Sequence, residues 1–148
     1  MILQKDKRLI PELREAGCYF MSICFLLNKY QGTEWSPELI NEFYQKVAAK
    51  GFVLADEDFT SVSDYDATIK NPEAIFVEKG LYVRYTDKHE LPSRICGEDE
   101  FEILKFVHGN HTHFVVGTGC GQVAYDPWGV SDTVKYGHLD SKRIFRIL

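Results

Sequence analysis

The stretch from Leu13 to about Tyr30 limits the fold more than any other part of this chain. Phe20, Ile23, Cys24, Leu27 and Tyr30 follow helical spacing, while Met21, Phe25 and Leu26 fall off that stripe. The predicted helix is therefore apolar nearly all round, and a helix of that kind has to be covered on both sides. Its uncharged part, Ala16 to Asn28, is shorter than the ~18 residues a membrane span requires. The expectation is a helix buried between two layers of one domain over residues 1–148, with Gly32 beyond its C-terminal end as the cap.

Punctuation along the chain supplies the other elements. Ser36-Pro37 predicts a second helix, serine as N-cap and proline at the first helical position, with Leu39, Ile40, Phe43, Tyr44 and Val47 as its apolar stripe and Gly51 as its stop. Residues 55–70 are acidic and polar and predict a solvated loop. Asn71-Pro72 predicts a short helix to about Glu78, ended by Gly80. The second half reads as strands over Leu81–Tyr85, Phe101–Val107, His113–Thr118, Gln122–Tyr125 and Ile144–Leu148. Helices first and antiparallel strands afterwards make an α+β class.

Charge and cysteine usage narrow the function. Seventeen basic against twenty-two acidic residues leave a net charge of -5, with no dense basic run, which argues against nucleic-acid or anionic-membrane partners. The charged N-terminal segment lacks the apolar stretch of a secretory signal. Four cysteines in a chain of this size, without an export signal, predict reduced thiols and a cytoplasmic location.

Two segments carry chemistry. The run His113-Phe-Val-Val-Gly-Thr-Gly-Cys-Gly-Gln-Val-Ala-Tyr-Asp126 predicts a hairpin about a Gly-Cys-Gly turn. With the turn centred between Gly119 and Cys120, His113 lies directly opposite Asp126, their Cβ atoms roughly 4.5–5.5 Å apart. A carboxylate beside an imidazole holds its tautomer and favours the imidazolium, as a general base requires. A structural His–Asp hydrogen bond would satisfy the same pattern. Cys18 follows Gly17 at the start of the apolar part of the first helix, where backbone N–H groups and the helix dipole favour a thiolate if the helix begins there. Cys24, on the apolar stripe, reads as a buried inert thiol, and Cys96 and Cys120 have no base partner legible in the sequence. Trp128, after Pro127, is a candidate to shield the His–Asp pair from water.

Taken together, Gly17-Cys-Tyr-Phe-Met-Ser22, the "His-Phe-Val-Val-Gly" strand from His113 and "Tyr-Asp-Pro-Trp-Gly" from Tyr125 resemble the papain-like cysteine peptidases, specifically the bacteriocin-leader (double-glycine) peptidase-like branch and a small relative found in bacterial and phage genomes. The resemblance implies an N-terminal nucleophile helix packed on a C-terminal antiparallel sheet, a Cys18-His113-Asp126 triad, no cofactor and no metal, and a peptide or protein substrate cleaved through an acyl-enzyme. The chain departs from the pattern in two places. Tyr19 stands where a glycine commonly follows the nucleophile, and Glu12 occupies the region that usually supplies an oxyanion-hole glutamine. An ionised carboxylate donates no hydrogen bond, and Gln4 is the only glutamine upstream, so Gln4 and Glu12 are both oxyanion candidates. Two alternatives stay open. One is a weak or inactive domain of the same fold that binds a peptide or partner protein in its cleft. The other is a metal site built from His108, His111 and His113, completed by Cys120 or Asp126. Oligomeric state is not legible.

Overall fold

The computed structural model describes residues 1–53 and 69–148. The acidic loop expected over 55–70 therefore lies, apart from Ile69 and Lys70, outside the described residues. The elements run α1 (Pro11–Ala16), α2 (Cys18–Gln31), α3 (Pro37–Ala49), α4 (Pro72–Glu78), β1 (Val83–Glu90), β2 (Glu100–His108), β3 (His111–Gly117), β4 (Val123–Tyr125), α5 (Asp132–Tyr136) and β5 (His138–Ile147). The class is α+β, with a five-stranded antiparallel sheet in the order β1-β5-β2-β3-β4. No helix among the described residues is long and apolar enough to cross a membrane.

The apolar helix is covered on both sides as its pattern requires. Tyr19 of α2 meets Phe114 of β3 (ring centroids 4.6 Å), and Phe20 meets Phe43 and Tyr44 of α3 at 5.5 and 5.3 Å. Met21, Ile23, Cys24 and Leu27 are fully buried in the same core. Local caps act where the sequence places them. Ser36 Oγ accepts from the Leu39 amide and Asn71 Oδ1 from the Ala74 amide, each preceding a proline.

Three expectations need correction. The helix predicted from Leu13 is two helices joined at Gly17, which serves as C-cap of α1 and N-cap of α2. A Cβ at Gly17 would collide with the Leu13 carbonyl oxygen and sit 2.8 Å from Leu13 Cα, so only glycine allows the joint to close this tightly. The hairpin register also differs. Val116 pairs with Tyr125 rather than Val123, and a bulge follows before Gly117 pairs with Val123. Glu102 explains the shift: its buried carboxylate accepts the Gly119 and Gly121 amides, and it packs so tightly on Gly117 that a Cβ there would overlap Oε2. This long-range demand sets the turn. Finally, β5 begins at His138 rather than near Ile144, and α5 precedes it. Val134 and Leu139 cover Leu104, Phe106 and Val115 in a second small core.

Candidate active site

The joint at Gly17 breaks the hydrogen-bond ladder just ahead of α2, whose first residues remain buried. In an uninterrupted helix the Arg14 carbonyl would accept the Cys18 amide. Here it accepts Gln4 Nε2 (3.2 Å) and Lys5 Nζ (3.1 Å). Cys18 therefore stands in the first turn of α2, among the N–H groups that a helix cannot satisfy internally.

The N-terminal segment ties this joint to the loop after β4. The Gln4 amide donates to the Pro127 carbonyl (2.8 Å), and Tyr125 Oη donates to the Ile2 carbonyl (3.0 Å). Asn41 of α3 anchors the segment's other end, accepting from the Ile10 amide and donating to the Arg8 carbonyl. Glycine at 129 permits a positive φ of 79°, and Gly129 N donates to the Asp126 carbonyl, closing the turn Asp126-Pro127-Trp128-Gly129.

That turn carries Asp126 to His113. His113 Nε2 donates to Asp126 Oδ1 at 2.6 Å, with His113 1% and Asp126 9% exposed. The contact expected from the sequence is present, but the turn beyond β4, not a ladder pairing, makes it. The carboxylate is fully engaged. Oδ1 also accepts the Trp128 amide (2.8 Å), and Oδ2 accepts the Ser131 hydroxyl (2.8 Å). Burial pushes Asp126 up, but the His113 bond, its charge and the Trp128 and Ser131 donors outweigh it and hold the carboxyl below its usual range. Burial likewise disfavours a charged His113. Asp126 and Cys18 overcome that and raise the imidazole from 6.5 to about 9.

An ionised carboxylate only accepts, so the Nε2 proton faces Asp126 and Nδ1 is the ring nitrogen left for a second partner. Nδ1 is buried and makes no hydrogen bond of ordinary length, yet Cys18 lies close enough to act on the ring. Both line a cleft of about 230 Å³ together with Gln4, Lys5, Glu15, Thr112 and Trp128. Trp128 lies against the imidazole (centroids 4.8 Å, 39° between planes), and Lys5 Nζ sits over the indole at 4.9 Å. Among the described residues, Gln4 Oε1, Thr112 Oγ1, His113 Nδ1 and Arg14 Nε are buried polar atoms without a partner, and the first three belong to this cleft. Buried polar groups are nearly always paired, so such a concentration marks a place that receives something.

The candidates named from sequence sort cleanly. Cys18, His113, Gln4 and Trp128 line one cleft, and Asp126 stands behind His113. Glu12, in the first turn of α1, is not among the lining residues. The reason is the N-terminal segment, residues 1–10, which acts as a strap: it runs back across the Gly17 joint and delivers Gln4 instead. His111 borders the cleft, but His108 lies tilted against Tyr136 and Cys120 lies exposed at the hairpin turn. The proposed metal set does not assemble, because His108 and Cys120 are not among the residues that line the cleft with His111 and His113. No group of three or more His, Cys, Asp or Glu residues that could hold a metal occurs among the described residues. Cys24 is sealed in the core and burial holds its thiol well above the ordinary range, while burial and Glu102 push Cys96 up to about 12. Ser131, Lys5 and Thr112 were missed. A serine preceding Asp132 signals a helix start, but nothing local says that its hydroxyl turns to Asp126.

Residues 1–147 match the model of a family described as "Protein of unknown function, DUF261". No curated protein and no solved structure matches the chain.

Proposed function

We propose, from the premise that the chain belongs to the DUF261 family and that its chemistry is carried by the cleft, that it is a cysteine hydrolase of papain-like kind. The observation that carries this reading is the buried His113–Asp126 pair, whose other ring nitrogen is left to a cleft containing Cys18. In the proposed reaction His113 Nδ1 takes the Cys18 proton while Sγ attacks a carbonyl carbon. The C=O electron pair moves to oxygen. As the tetrahedral species collapses, the amine leaves with the proton from His113, and a thioester remains. Water then loses a proton to His113 and attacks the thioester, the sulfur departs and takes that proton back from His113, and a carboxylic acid is released. Asp126 keeps the ring in the required tautomer and stabilises its cation. The Cys18 amide and the second Nε2 hydrogen of Gln4 are the donors proposed for the oxyanion; losing one such donor typically costs about 10²–10³ in rate. Trp128 limits water at the imidazole.

The resemblance to the double-glycine peptidase-like branch supports a peptide or related amide bond as the target. A second reading, a cleft that binds a peptide or partner protein with little or no turnover, draws on the engagement of Gln4 Nε2 by the Arg14 carbonyl.

Iodoacetamide alkylation followed across pH, with each cysteine mapped by mass spectrometry, separates the two. The hydrolase reading expects Cys18 to be modified faster than exposed Cys120 below about pH 7, and His113→Ala to abolish that preference. Equal or slower reaction at Cys18, unchanged by His113→Ala, defeats the reading.

A further inference from the structure

Ser131 is the N-cap of α5, with extended backbone (φ -132°, ψ 141°), and its carbonyl accepts the Lys135 amide. Serine is favoured at an N-cap because its side-chain oxygen accepts a backbone N–H from the first turn. Ser36 does so at the start of α3. Ser131 does not: its side chain makes no capping hydrogen bond, and its hydroxyl instead donates to Asp126 Oδ2 at 2.8 Å. It is 4% exposed, so water does not substitute for either interaction. A residue that forgoes its favoured capping interaction to bind a carboxylate of the cleft marks a functional demand rather than a folding one.

The demand is legible in the carboxylate. Oδ1 is shared by His113 Nε2 and the Trp128 amide, and both fix one end of the group. The Ser131 hydroxyl holds the other, and two anchored oxygens define the carboxylate plane. Without it, rotation about the Cβ–Cγ bond would carry Oδ1 off the imidazole plane. The anchor itself is firm, because α5 packs against β2, β3 and β5, the strands that support His113.

We propose that Ser131 is a positioning residue for the Cys18–His113 pair, acting through Asp126; this rests on the hydrolase reading above. The hydroxyl orients the carboxylate and keeps it ionised, and the oriented carboxylate keeps the imidazolium stable. Side-chain capping of α5 is not its role.

The test is the His113 titration midpoint by NMR in wild type, Ser131→Ala, Ser131→Gly, Ser131→Thr and Asp126→Asn. Expected is a lower midpoint in the alanine variant, with an accompanying loss of about threefold to tenfold in the Cys18 alkylation rate near neutral pH. Threonine, which retains the hydroxyl, restores both. Glycine is well tolerated at N-caps and supplies the hydroxyl-free reading should the alanine variant fold poorly. If Asp126→Asn moves the midpoint but neither hydroxyl-free variant does, Ser131 is merely structural and the proposal is overturned while the triad stands. If Asp126→Asn leaves the midpoint in place, the triad reading falls and this proposal with it.

Discussion

Replacing Asp126 by asparagine keeps the size and shape of a side chain that is bonded at both oxygens, removes its charge and turns one acceptor oxygen into an NH2 donor, which Ser131 can meet by rotating its hydroxyl to accept. In the wild type His113 titrates near 9 instead of 6.5. Each unit is worth 1.36 kcal/mol, so the raised midpoint corresponds to about 3 kcal/mol of folding stability. The midpoint lies higher in the folded than in the unfolded state. The stabilisation is therefore complete below about pH 6.5 and is lost as pH rises through about 9. Asp126 behaves oppositely: its carboxyl is depressed, so its share is present above the ordinary carboxylate range and disappears as pH falls through the folded value. In Asp126→Asn burial opposes the charge on His113 with Cys18 as the one remaining raising influence, and the midpoint falls toward or below 6.5. Urea denaturation under reducing conditions at pH 7 and pH 10, with an NMR titration of His113, measures both effects. The variant should be less stable by about 2–3 kcal/mol at pH 7, with the deficit shrinking by pH 10, where the wild-type imidazole is neutral. A His113 midpoint still near 9, or a deficit of the same size at both pH values, would refute the electrostatic account of the pair.

Gly17→Ala places a Cβ against the Leu13 carbonyl and forces the α1–α2 joint open; denaturation should show a loss of about 1–3 kcal/mol, with slower alkylation of Cys18. Glu102→Gln removes the charge facing Lys142 Nζ at 2.8 Å in a pair with both side chains fully buried, and leaves an uncompensated ammonium; unfolding should show a loss of about 3–5 kcal/mol. A near-neutral result there would mean that the Gly119 and Gly121 amides, not the ion pair, account for what Glu102 contributes.

Local signals specified much of this chain. The apolar surface of Leu13–Tyr30 demanded cover on two sides, and Phe114 and the α3 aromatics provide it. Ser36-Pro37 and Asn71-Pro72 began helices because caps act within one turn. Cys18, His113 and Asp126 could be picked out because each sits beside a local marker: a helix start, a β-prone run, a proline turn. Tertiary contacts decided the rest. At Val116 the partner lies two residues from the expected one, which leaves the alternation of faces intact, so the pattern could not choose between them, and Glu102 from β2 did. Glu12 and Gln4 were both upstream of Cys18, and only the path of the strap, pinned to Pro127 and Arg14, brought Gln4 into the cleft. Ser131 had an ordinary helix-start context, and its hydroxyl turns to Asp126, five residues back, whose other oxygen is held by His113 of β3. Propensity acts over a few residues, whereas the register and the path of the N-terminal segment each depend on a buried polar group finding its partner from a distant part of the chain.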